Sequence, residues 1–133
     1  MVNNHYICQD QNEALRFFTE KLGFELRADV TMGDYRWLAV GLKDQPDLDC
    51  QLAALKPGGP LDEDDVRVLT KLVEAGKLGA GVFKTDDCQG TYEQLTAKGV
   101  EFTVPPTDRP YGIIEAVFKG PDGNVFVLSQ DKI

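Results

Sequence analysis

Apolar and polar positions along this chain follow one pattern that is written twice. An apolar stretch, Tyr6-Ile7-Cys8, leads to Asp10, after which Ala14, Leu15, Phe18 and Leu22 recur at helical spacing. Gly23 supplies the positive φ that stops this helix, and Phe24-Glu25-Leu26-Arg27-Ala28 reads as a strand. About 76 residues on, Gly81-Val82-Phe83 leads to Asp86-Asp87, a helical stretch from Thr91 to Ala97, and then Lys98-Gly99-Val100-Glu101-Phe102. Strand, acidic cap, helix, glycine stop and strand therefore occur twice. Each copy, at roughly 55 residues, is too short to bury a core alone, so the two are expected to pair around a cavity.

The remaining elements complete the two copies. The first strand is predicted over 2–8, with Asp10 or Asn12 capping the helix by accepting an otherwise unpaired backbone N–H. A turn at Met32-Gly33-Asp34 precedes strands at Tyr35–Gly41 and Leu48–Leu55. Lys56-Pro57-Gly58-Gly59-Pro60 interrupts the pattern, and a connecting helix follows from Leu61 to Gly76. Asp62, Glu63, Asp64 and Asp65 crowd its first turn, where the helix dipole favours negative charge, so they read as a helix start and not as a metal site. The second copy continues with a strand at 79–85, a helix at 88–98 and strands at 100–104, 112–119 and 124–130. Gly120-Pro121-Asp122-Gly123-Asn124 forms the last tight turn. The expected fold class is α+β: two βαβββ modules forming a curved mixed sheet with helices outside. They make one domain over 1–133, with module one at about 1–56, a linker and connecting helix at 57–77, and module two at about 78–131.

Charge and cysteine content narrow the function classes. The net charge of −8 lacks the clustered Lys/Arg face that nucleic-acid binding needs, so no nucleic-acid partner is expected. No apolar run approaches the roughly 20 residues that span a bilayer, and the N-terminus has no basic region before an apolar one. No membrane partner is expected either. Three cysteines, Cys8, Cys50 and Cys88, have no metal-type or redox spacing, which fits a reducing cytoplasm. Cys8 and Cys50 fall in strands as small apolar fillers. Cys88 begins a helix whose dipole lowers a thiol pKa, an effect that Asp86 and Asp87 oppose.

Two stretches carry a resemblance: Asp10 through Ala14-Leu15-Arg16-Phe17-Phe18 to Lys21-Leu22-Gly23-Phe24, and Arg109-Pro110-Tyr111-Gly112 through Glu115-Ala116-Val117-Phe118 to Pro121-Asp122-Gly123-Asn124. In these the whole chain resembles the vicinal-oxygen-chelate superfamily of glyoxalase I, extradiol dioxygenases and bleomycin-resistance proteins. The resemblance implies a divalent metal on four strand-borne side chains, polarising two neighbouring substrate oxygens. It places those four positions at Asn3, Gln51, Ala80 and Val127, with His5 sharing a strand face with Asn3 and Val82 with Ala80. Ala80 and Val127 cannot ligate a metal, so no cofactor is expected. The minority alternative is a divalent metal on an incomplete or subunit-shared set.

The leading expectation is a metal-independent small-molecule binding protein of the bleomycin-resistance type, with its ligand in a cavity over the concave sheet and a homodimer as the assembly. Candidate ligand-binding residues are Asn3, His5, Trp37, Gln51, Phe83, Arg109 and Tyr111. Trp37 stacks on flat ligands or fills core. Arg109 pairs a ligand carboxylate or phosphate, or else Asp108 or Asp122. The alternative is a lyase or isomerase-like enzyme with His5 or Glu115 as general base. His5 could equally be a hydrogen-bonded structural histidine, and Glu115 a solvated carboxylate.

Overall fold

The computed structural model describes residues 2–132, so Met1 and Ile133, the ends of the expected domain, lie outside the described residues. The chain forms two units, dividing between Thr70 and Lys71. The first unit holds strands β1 (Asn3–Cys8), β2 (Glu25–Met32), β3 (Tyr35–Gly41) and β4 (Asp49–Ala54), with helix α1 (Gln11–Arg16) continued by a π-helical turn over Phe17–Lys21. Helix α2 (Glu63–Glu74) runs across the division. The second unit holds β5 (Gly79–Lys84), α3 (Cys88–Ala97), β6 (Glu101–Asp108), β7 (Ile113–Lys119) and β8 (Val125–Asp131).

Both sheets have one topology, β1-β4-β3-β2 and β5-β8-β7-β6. In each, the first and last strands pair in parallel and the other neighbours are antiparallel. The α+β class and the helix-bearing four-stranded modules expected from the repeat are therefore present. Two predicted strands run longer than the pattern suggested. β2 continues to Met32, and β6 continues through Pro105 and Pro106 to Asp108. β6 is an edge strand whose register shifts between Val104 and Thr107, so prolines that cannot donate a ladder hydrogen bond are tolerated there.

Asp10 caps α1, its Oδ1 accepting from Asn12 N at 2.9 Å and Glu13 N at 3.1 Å. The widened π turn beyond it lets neighbouring Phe17 and Phe18 both reach the core. Phe18 meets Tyr6, Phe17 and Phe24 edge-on, at 5.1, 5.8 and 5.0 Å. With Cys8, Leu38, Val40 and Leu52 these rings fill the helix-bearing side of the first sheet. At the sheet's other end Arg27, in the β2 bulge, folds over Gly41. Its guanidinium reaches Glu25, Asp49 and the carbonyl of Leu42 at 2.7–2.9 Å. A side chain at Gly41 would meet that guanidinium carbon at 2.5 Å and would have to displace Arg27 from these partners.

Cys50 lies inside this sheet, and burial pushes its thiol up from the ordinary 9.0 to about 11. The protonated thiol is the neutral form, and the folded state holds that proton more tightly than the unfolded chain does. Its stabilisation is therefore complete below pH 9 and is lost as pH rises towards 11. Denaturation at pH 8 and pH 10.5 should show an alkaline loss of about 2 kcal/mol that Cys50→Ala removes; equal losses in the two proteins would refute this.

In the second unit Cys88 is buried at the start of α3. Its thiol is pushed up by burial first and by Asp87 second, so the helix dipole does not win at this cysteine. The core here is aromatic: Phe118 lies 5.1 Å from Phe126 and 6.2 Å from Phe83, both stacked. Phe102 links this stack to Tyr92 of α3 at 4.7 Å.

Candidate functional site

Register assigns each candidate side chain to a sheet face. In the first sheet Asn3 pairs with Asp49, His5 with Gln51, and Ala39 with Gln51 from the other side. Period two along β3 then sets Tyr35 and Trp37 on the same face as Ala39. Asn3, His5, Trp37 and Gln51 thus share the face turned away from α1, where Tyr6, Leu38 and Leu52 lie on the opposite side. Gln51 is only 6% exposed, and its Nε2 donates to Tyr35 Oη at 2.9 Å. Tyr35 was not among the sequence candidates. Its signal was the alternation Tyr35, Trp37, Ala39, masked by the turn immediately before it.

Tyr35 Oη, having accepted from Gln51, keeps its own proton for a ligand acceptor. Asn3 Oδ1 is buried without a hydrogen-bond partner in the structure, an acceptor left open on the same face. His5 is exposed, and its side chain makes no hydrogen bond to any other described residue. The face therefore joins one indole, a phenol, two carboxamides and an imidazole.

In the second sheet Val82 pairs with Val127, and Val117 pairs with Val127 from β7. Glu115 pairs with Ser129 and Thr107 on that same face, away from α3. Arg109 Nε and Tyr111 Oη both donate to Glu115 Oε1, at 2.9 and 2.7 Å. The open choice of an acid for Arg109 is thus resolved in favour of Glu115, because Asp108 is joined to Lys132. The same hydrogen bond raises the Tyr111 pKa and keeps the phenol a donor. Phe83 is the candidate set apart. It points to the α3 side, stacked on Phe126 at 5.6 Å and on Phe118.

The two sheets can be compared level by level. His5 stands beside Gln51 as Val82 stands beside Val127, whereas Asn3 lies level with Asp49. Ala80 falls at a register irregularity between Gly79 and Gly81 and has no partner of its own on β8. The level pair in the first sheet supplies one imidazole and one carboxamide, whose nitrogen is already engaged. The level pair in the second supplies two isopropyl groups. A divalent metal needs three or more nitrogen, sulfur or oxygen donors, and these positions do not fit one. Among the described residues no three His, Cys, Asp or Glu side chains gather where they could hold a metal ion. A surface depression of about 630 Å³ lies along Lys84, Thr85, Asp86, Gln130, Asp131 and Lys132, and none of the candidate side chains lines it.

The twice-written order of elements, with matching sheets and level positions, defines a lineage that sequence comparison can check. The sequence model of the Glyoxalase/Bleomycin resistance protein/Dioxygenase superfamily matches residues 3–128. The chain belongs to this superfamily. Among solved structures, UcmS2 is 40% identical with a TM-score of 0.89, covering 97% of this chain and 96% of that one. TnmS3, an antibiotic binding protein from Streptomyces sp. CB03234, is 30% identical with a TM-score of 0.75, covering 99% and 95%. The uncharacterized protein YurT of Bacillus subtilis (strain 168) is 37% identical over 122 residues, 92% of this chain and 91% of that one. No helix among the described residues is long and apolar enough to cross a membrane.

Proposed function

We propose that this superfamily member is a small-molecule binding protein that works without a metal, holding a flat, largely apolar ligand against the helix-free face of a sheet. The observation that carries the reading is the grouping of His5, Tyr35, Trp37 and Gln51 on one face, with the buried Gln51 tied to Tyr35. An apolar surface with a few convergent polar groups is the usual form of a ligand site. The antibiotic-binding description of TnmS3 supports the same class of activity. We propose a homodimer acting in the cytoplasm. Leu26, 51% exposed on the edge strand β2, suits a second copy, and three free buried thiols suit a reducing compartment.

The enzyme alternative has weaker support. A general base is oriented by a third group, and His5 has no such partner among the described residues. Glu115 spends one oxygen on two donors at once.

Trp37 is the chain's single tryptophan, so its emission reports directly on its face. Titration with flat aromatic compounds should quench it. Trp37→Ala should weaken binding of the best compound about tenfold, equivalent to about 1.4 kcal/mol. His5→Ala and Gln51→Ala should shrink the ligand's thermal shift while the unliganded protein stays folded. Near-stoichiometric metal in protein purified without added metal, or ligand shifts untouched by all three substitutions, would overturn the reading.

A further inference from the structure

One edge of the Arg109 guanidinium has no partner among the described residues. Its Nε donates to Glu115 Oε1, and no other described residue bonds the group. A guanidinium has five N–H donors in a rigid plane. When Nε faces one carboxylate, the Nη1–Nη2 edge is turned away from it, leaving two roughly parallel donors spaced for two oxygens of one group. Arg109 is 34% exposed, so this edge is reachable, whereas Glu115, 17% exposed, is the sheltered half of the pair.

Local backbone keeps the arrangement ready-made. Gly112 has φ +87°, its N–H reaches the Arg109 carbonyl, and Arg109 N donates to Ile113 O at 2.9 Å. This turn sets Arg109 and Tyr111 on one side, over Glu115. Little side-chain entropy remains to be lost when a ligand arrives. Charge at this end of the second sheet is also locally balanced, despite the chain's net −8. Lys84 joins Asp131, Lys132 joins Asp108, and Arg109 joins Glu115. Next to Glu115 on the same face lie Val117, Val127 and Val82, an apolar strip, and Ser129, buried at the Glu115 level.

We propose that the helix-free face of the second sheet selects ligands bearing a carboxylate, the apolar body lying on Val82, Val117 and Val127 and the carboxylate held bidentately by the Nη1–Nη2 edge of Arg109. Glu115 is the positioning residue that turns that edge outward, and Tyr111 donates to the same Glu115 oxygen. The assignment rests on the binding-protein reading above and gives the second sheet's own face a ligand class.

The probes are 2-naphthoate, neutral 2-naphthamide and 2-naphthyl phosphate, titrated into the intact protein by calorimetry and by NMR of the arginine Nε–H signals. The expected result is 2-naphthoate binding about tenfold more tightly than 2-naphthamide, with the Arg109 Nε signal moving only for the carboxylate. Arg109→Lys keeps the charge but removes the fork, and should erase the tenfold preference for the acid over the amide. Equal binding of acid and amide overturns the carboxylate fork alone. Tighter binding of 2-naphthyl phosphate overturns it in favour of a phosphate site. Binding of none of the three overturns both this assignment and the binding-protein reading.

Discussion

Phe118→Ala is expected to cost about 4 kcal/mol of folding stability, enough to remove a large share of the 5–15 kcal/mol typical of a domain. Phe118 is 0% exposed in the middle of β7, with Phe83, Phe102 and Phe126 around it at 6.2, 5.3 and 5.1 Å. Three aromatic pairs vanish with the ring, and neighbours that are themselves rigid rings collapse poorly into the space. The cost should therefore sit at the high end for large-to-small changes. Phe118→Leu, which keeps most of the volume, should cost less than half as much. Because Phe118 points to the α3 side and Glu115 and Val117 lie on the other face, a protein that still folds should keep its Arg109–Glu115 pair. Urea denaturation followed by circular dichroism measures the loss. A loss below about 1.5 kcal/mol would show that the aromatic stack does not hold the second unit together.

The same stack shows where sequence patterning was informative and where it was silent. The repeat was legible because helical spacing in Ala14, Leu15, Phe18 and Leu22 and glycine stops at Gly23 and Gly99 are local signals, set by backbone geometry. Strand faces were harder. In β4 the consecutive residues Cys50, Gln51 and Leu52 are all buried, so no polar–apolar alternation marks which of them faces the candidate site. In β5 Gly79 and Gly81 carry no side chains to reveal a face, and the irregularity at Ala80 shifts the register between them. Phe83 was thus grouped with the pocket candidates, while the structure stacks its half-buried ring on Phe126. The partner of Arg109 was undetermined because several acids lie near it in sequence. The Gly112 turn, a matter of one φ angle, brings residue 109 back over residue 115. Level pairing also shifted the comparison with the superfamily. Only the ladder, and no single-strand pattern, shows that His5 and not Asn3 stands beside Gln51.

Gly123→Ala should lower stability by about 3–4 kcal/mol and the melting temperature by about 10 °C or more. Two costs add there. Gly123 has φ +107°, a conformation that side-chain-bearing residues avoid at about 1–2 kcal/mol. A Cβ would also stand 2.5 Å from the Val73 carbonyl oxygen and 3.2 Å from Glu74 Cα, both backbone atoms of the end of α2. A flexible side chain could swing aside, but a helix end cannot move without unseating the buried Val73. Gly33→Ala separates the two costs. Gly33 has φ +59° with nothing within 4 Å of the added methyl, so that substitution carries conformational strain alone, about 1 kcal/mol. The difference between the two variants measures the contact between the β7–β8 turn and the end of α2. Equal losses in Gly123→Ala and Gly33→Ala would mean that the turn does not press on the helix at all, and that α2 is held by its side chains only.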